Sequence, residues 1–192
     1  MKTYVFLFLI LSLISNAFGQ ETKDFIGEGY SIAIPNSWKQ QPIKAPNGEI
    51  ATLFVGNKEF GSIIESTLID KKLMPTLARS SAKQKRQFIM HEWDLQTWLK
   101  LYPNLASLKD FRVLVNTKTI LGKDLPASMI EYIWVSHENV CYHTRMIYSL
   151  SSKRQFSFSF SGFGCSTEKA RLAFEKNVGA LQKVQYSFRT VR

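Results

Sequence analysis

The sequence is poor in the residues around which most enzyme and metal sites are built. It has two cysteines and three histidines in 192 residues. No glycine-rich phosphate loop and no Gly-x-Ser-x-Gly elbow occurs, so the usual nucleotide-cradling and serine-hydrolase signatures are missing. Beyond residue 14 no segment approaches the roughly 18 uncharged apolar residues of a membrane span. Acidic residues are scarce beside basic ones, 15 against 25, for a formal charge of +10. Disorder is excluded from the other side. Apolar content is 45%, enough to build a real core and more than a disulfide-only miniprotein needs.

What is present begins with an export signal. Residues 1–19 carry Lys2, an apolar run over 4–14, and Ala17-Phe18-Gly19 with small residues at both cleavage positions. The alternative, an uncleaved anchor, needs a longer apolar run than this one. No cysteine follows the run, so there is no acceptor for a bacterial lipid anchor. The expected mature chain is residues 20–192, one domain, exported to the periplasm or secreted. A domain of that size buries about 70% of its unfolded surface.

Period-2 alternation predicts strands at 30–34, 50–55, 62–69, 111–119 and 129–135. Two more runs, 140–150 and 155–163, flank the polar Ser151-Ser152-Lys153-Arg154 and read as a β-hairpin. Placing Leu150 opposite Phe156 sets apolar faces side by side. It also sets Cys141 opposite Cys165, which in an oxidising compartment predicts a disulfide across the hairpin. Two separate buried thiols are the alternative. Residues 71–102 change to helical spacing, with Phe88, Leu95, Leu99 and Tyr102 on one face and Pro103-Asn104 as the stop. A last helix starts at Ser166 or Thr167 and presents Phe174, Val178, Leu181 and Val184. The order of three strands, helix, four strands, helix predicts an α+β fold, an antiparallel β-sheet covered by helices.

Gly29-Tyr30-Ser31-Ile32-Ala33-Ile34-Pro35-Asn36-Ser37-Trp38 resembles the opening strand of the PsbP-like superfamily. Thr119-Ile120-Leu121-Gly122-Lys123-Asp124-Leu125-Pro126-Ala127 is similar to that family's mid-chain turn, and the aromatic strand and helix over 156–184 also fit. The resemblance implies an antiparallel sheet sandwiched by helices. It also implies a protein that binds without catalysis, since the family holds extrinsic photosystem subunits, an import factor, effector chaperones and exported bacterial proteins. It transfers no binding residue, because the matched positions are turn and core positions.

Candidate chemistry is thin. His91, His137 and His143 stand apart, and Leu95 and Cys141 occupy the places where His91-Glu92 and His137-Glu138 would need a second histidine for zinc. Ser80-Ser81-Ala82-Lys83 and Ser166-Thr167-Glu168-Lys169 both match Ser-x-x-Lys without its partner motifs. Glu92 and Asp94, two apart, would point to different faces of a helix. No catalytic residue, metal or cofactor is expected.

The clearest non-structural feature is charge. Residues 71–91 contain Lys71, Lys72, Arg79, Lys83, Lys85 and Arg86 and no acid until Glu92. On one helix Arg79, Lys83 and Arg86 would share a face, either as a docking stripe or as the solvated side of a basic protein. The expected function is an exported non-catalytic binding protein meeting an acidic protein partner through this surface. Tethering to an anionic membrane or polymer is the alternative, and a periplasmic immunity protein against a secreted toxin is a third form of the same reading. Nucleic acid is the weakest partner class, because export removes it and no recognition motif occurs.

Overall fold

The computed structural model describes residues 21–44, 50–72 and 74–191. The expected export signal at residues 1–19 lies outside them, as do residues 45–49, where Pro46-Asn47-Gly48 reads as a turn signal in the sequence. Strands β1 (Thr22–Gly27), β2 (Tyr30–Pro35), β3 (Lys39–Lys44), β4 (Ile50–Asn57) and β5 (Phe60–Leu68) come first. Short helices α1 (Pro75–Arg79), α2 (Ala82–Gln87) and α3 (Leu95–Leu101) follow. A π-helical turn at Phe88–Glu92 joins α2 towards α3, and a 3-10 turn at Pro103–Ser107 follows α3. The chain then runs through β6 (Lys109–Leu121), β7 (Leu125–Val135), β8 (Cys141–Leu150), β9 (Arg154–Gly164), helix α4 (Thr167–Ser187) and β10 (Arg189–Thr190).

Seven strands form one antiparallel sheet in the order β3-β4-β5-β9-β8-β7-β6, and β1-β2-β10 form a second, small one. The expected α+β architecture is therefore present, with two differences. Strands β1, β3 and β10 are additional, and β2 lies in the small sheet between β1 and β10. The sequence of β3, Lys39-Gln40-Gln41-Pro42-Ile43-Lys44, is that of an edge strand guarded by lysine and proline and lacks the apolar alternation of a buried one.

Both faces of the large sheet are covered. On one, Phe156, Phe158 and Phe160 of β9 pack with Ile32 and Ile34 of β2 and with Phe174, Leu181 and Val184 of α4. Ser166 caps α4 by accepting from Lys169 N at 3.3 Å. On the other face Ile130, Tyr132, Met146 and Tyr148 pack with Ile89, Trp93 and Trp98.

The two-sided burial corrects the hairpin register. The structure pairs Leu150 with Gln155, Tyr148 with Ser157 and Cys141 with Gly164, one residue away from the apolar-to-apolar alignment. Strand β8 is buried on both faces over most of its length, so alternation along it cannot select a register. Met146 and Tyr148 serve the helix-covered core and sit beside serines of β9, whose phenylalanines serve the other core. Cys141 and Cys165 are free thiols here.

The expected helix over 71–102 is also corrected, into three short helices and a π-turn. Ser81 starts α2 with a capping box, accepting from Gln84 N at 3.3 Å while its own N–H donates to Gln84 Oε1 at 2.8 Å. Asp94 starts α3 by accepting from Thr97 N at 2.8 Å. These hydrogen bonds hold the Asp94 carboxyl below the usual carboxylate range. Each cap is a helix start inside a helical pattern, and the chain bends there to lay Trp93 and Trp98 on the sheet.

Candidate functional site

The short helices cover only part of their face, and the uncovered part is a groove. Its floor is the centre of the sheet: Glu65 of β5, Ser157 and Ser159 of β9, Tyr148 of β8, Tyr132 and Trp134 of β7. Its far wall is the end of α3 and the 3-10 turn, including Tyr102 and Leu105. The cavity measures about 590 Å³, within the range of small-ligand sites. A smaller hollow of about 280 Å³ continues it, sharing Ile63, Tyr132, Trp134 and Ser159 and reaching Tyr142. Trp134 stacks on Tyr142 with ring centres 4.2 Å apart.

The polar atoms of the groove are ordered by one another. Tyr102 Oη donates to Ser157 Oγ at 3.1 Å, Tyr148 Oη to Gln155 Oε1 at 2.8 Å, and Trp134 Nε1 to Thr144 Oγ1 at 3.1 Å. Burial pushes the Tyr102, Tyr132 and Tyr148 phenols upward, so all three are neutral near pH 7. Nothing in the sequence picks out this groove, because the serines of β9 read as the solvent side of a strand. Their alternation with Phe156, Phe158 and Phe160 is correct; what covers the serine face is set by residues fifty positions away.

The predicted basic residues are placed as follows. Arg79 lies on α1, while Lys83 and Arg86 lie on α2 beyond the break at Ser80, so the three do not share one continuous helix. Lys85, from the same run, is 1% exposed and donates to the Ser152 carbonyl at 2.5 Å. Burial lowers its pKa, and it adds nothing to the outer surface. Arg86 instead joins Lys123 of the β6–β7 turn and Arg189 of β10 around an open cavity of about 390 Å³. Asp124 stands 3.6 Å from Arg86, in an exposed ion pair that holds little free energy.

The cheap motif matches are structural. Ser80 Oγ donates to the Thr76 carbonyl at 2.9 Å, and Ser166 is the α4 cap. His91 and His137 are exposed on different elements. Among the described residues no three His, Cys, Asp or Glu side chains converge as a metal site, and no helix is long and apolar enough to cross a membrane.

His143 is buried. Its Nε2–H donates to Glu131 at 2.8 Å, and Arg145 donates to the same carboxylate from Nε at 2.8 Å and from Nη2 at 2.7 Å. The imidazole stacks on Phe174 of α4 at 4.4 Å, and the Arg145 guanidinium lies over that ring at 5.1 Å. This network ties β7 and β8 to α4.

No protein-family model matches the chain, and no curated protein matches by sequence. Comparison of folds is informative. The solution structure of cyanobacterial PsbP (CyanoP) from Synechocystis sp. PCC 6803 matches with a TM-score of 0.56 at 12% identity, over 90% of this chain and 94% of that one. LpqN of Mycobacterium tuberculosis, described as involved in cell envelope biogenesis, aligns over 90% of this chain and 91% of its own at 10% identity, TM-score 0.46. A Bacteroides thetaiotaomicron VPI-5482 protein aligns over 91% of this chain and 50% of its own at 12% identity, TM-score 0.49. The lower scores of these two add no weight to the comparison. The chain has the PsbP-like fold, the one its opening strand and mid-chain turn resemble.

Proposed function

We propose that the protein is an exported, non-catalytic binding protein that engages an acidic protein partner through its basic surface. The observation that supports this is the convergence of Arg86, Lys123 and Arg189, from three separate elements, on one open cavity. Lys83 extends the positive surface from one turn earlier on α2. Such a surface steers an acidic partner and makes its binding salt-sensitive. Export is supported by the charged start, apolar run and small-residue cleavage pattern of residues 1–19. The absence of catalysis is supported by the roles of Ser80, Ser166 and His143, each occupied in a cap or a core network.

The test is a pull-down from the native envelope fraction with the wild-type protein and with the triple variant Arg86→Glu, Lys123→Glu, Arg189→Glu. One acidic protein, stoichiometric, retained through moderate salt by the wild type and lost by the variant, is the expected result. Recovery of lipid or mixed polyanions alone, shed as salt rises, would replace the protein partner by an electrostatic tether.

The same reading includes a Cys141–Cys165 disulfide formed after export. Cys165 lies one residue beyond the partner of Cys141 and outside β9, so the ladder does not fix its side chain. Maleimide labelling of the unreduced, denatured exported protein should add no mass. Labelling at both cysteines would show that they stay as thiols.

A further inference from the structure

We infer that the basic pocket holds the terminal carboxylate of the partner's chain together with an apolar last side chain, an assignment that rests on the acidic-partner function proposed above. Each of its three cations follows directly on a residue that the fold pins. Lys85 is buried and donates to the Ser152 carbonyl, which anchors α2 next to Arg86. Gly122, at φ +62°, lies so close to the Phe188 carbonyl that a Cβ there would collide with it. Its N–H donates to the Gln185 carbonyl at 2.9 Å. Gln185 is buried and reaches back with Nε2 to the Ile120 carbonyl at 2.7 Å and to Thr119 Oγ1 at 2.9 Å. The turn that carries Lys123 is thereby locked to the end of α4. Phe188, buried against Tyr30, Phe156 and Phe158, sets the position of Arg189. Backbone positions fixed beforehand leave less to be ordered on binding.

The pocket joins charge to an apolar floor. Three cations and one acid, Asp124, line it, a surplus of two positive charges around a cavity of about 390 Å³. Leu121, Leu125 and Phe188, none more than 8% exposed, line the same cavity. An anion brought against such a floor loses water, and charge-assisted hydrogen bonds from Arg or Lys compensate that loss. A side-chain carboxylate inside an extended segment supplies the charge alone, because its neighbours project to the opposite face. A terminal residue carries carboxylate and side chain on one Cα, so it answers both the cations and the floor. Asp124 separates a chain end from a free carboxylic acid. It can accept the N–H beside a peptide's terminal carboxylate, and it repels an anion that has no N–H to offer.

The probes are two N-acetylated hexapeptides of equal net charge, titrated calorimetrically against the mature chain. One has three glutamates, then Gly-Ser-Leu and a free carboxylate; the other has four glutamates, then Ser-Leu and a terminal amide. The free acid should bind about tenfold or more tighter than the amide. Arg189→Gln, at an exposed position, should remove most of that preference. Replacing the terminal leucine by glycine should weaken the free acid, since the floor is then left unfilled. Equal affinity of free acid and amide overturns the terminal site and leaves the acidic-partner function standing. Binding of 4-methylpentanoate, the leucine skeleton without an N–H, as tightly as the free acid overturns it in favour of a small carboxylate. No binding of either peptide at millimolar concentration also overturns it, and the pull-down with the triple variant then decides the acidic-partner function separately.

Discussion

Gly162→Ala should destabilise the protein by about 3 kcal/mol, at the upper end of the usual cost of overpacking, read as a lower urea midpoint with an unchanged slope. Gly162 is on β9 where α4 crosses the sheet. A methyl group there would meet the Phe174 backbone N and lie 2.6 Å from the Ala170 carbonyl and 2.8 Å from Phe174 Cα. These are main-chain atoms of a 21-residue helix, so no side-chain rotation relieves the clash. The helix must lift as a unit, and Phe174, Leu181 and Val184 lift with it from the first core. The control is Gly179→Ala, on the same helix, where an added methyl meets nothing within 4 Å. That change should stabilise by about 0.5–1 kcal/mol through helix propensity. A Gly162→Ala protein as stable as wild type would mean that α4 does not seat as described.

Glu131→Ala should cost about 3–5 kcal/mol at neutral pH, the range for removing one partner of a buried ion pair. The carboxylate serves His143 and Arg145 together, and without it the guanidinium stays over Phe174 with no counter-charge. Burial opposes ionisation of Glu131, but hydrogen bonds from His143 and Arg145 and the Arg145 charge outweigh it and hold the pKa below 4.5. A carboxyl held lower in the folded than in the unfolded state contributes stability above the unfolded value. That contribution is lost as pH falls through the folded value. Wild type should therefore lose stability below pH 4.5 more steeply than Glu131→Ala does, in urea titrations between pH 7 and pH 3. Parallel profiles would show that the network contributes nothing through charge. His143 is paired with Gly162 in the ladder and stacked on Phe174, so Gly162→Ala and Glu131→Ala act at one junction. Their effects should fall short of additive.

Much of the fold is legible in residues that do one thing. Ser166 with Glu168 behind it announces α4, and Phe174, Leu181 and Val184 give its buried face. Tyr30, Ile32 and Ile34 alternate because only one side of β2 is buried. Legibility ends where a residue is read by two partners at once. Strand β8 is buried on both faces, so its register depends on which core claims Tyr148, and that is decided by Trp93 and Trp98 on a separate segment. The helical pattern over 71–102 hides its own breaks, since Phe88, Leu95 and Tyr102 keep their spacing across the cap at Asp94, and the cap at Ser81 falls inside the same run. Those caps are recoverable: Ser81 with Gln84 three residues on is a capping-box sequence. The groove is not, because it exists only where α3 stops short of covering β9. The basic cluster mixes the two cases. Lys83 and Arg86 lie in a visible charge run, but Lys123 and Arg189 line the same cavity as Arg86 from the β6–β7 turn and from β10, distant in the chain.

In the proposed function a positive surface built from Arg86, Lys123 and Arg189 recognises an acidic protein. The most direct measurement is the affinity of the captured acidic partner for the wild type and for the Arg86, Lys123, Arg189 charge-reversed variant across a series of salt concentrations. Wild-type affinity should fall steadily with salt, and the variant should show much weaker affinity and a flattened or inverted salt response. Equal affinities with the same salt response would contradict it and move the recognition surface elsewhere on the molecule.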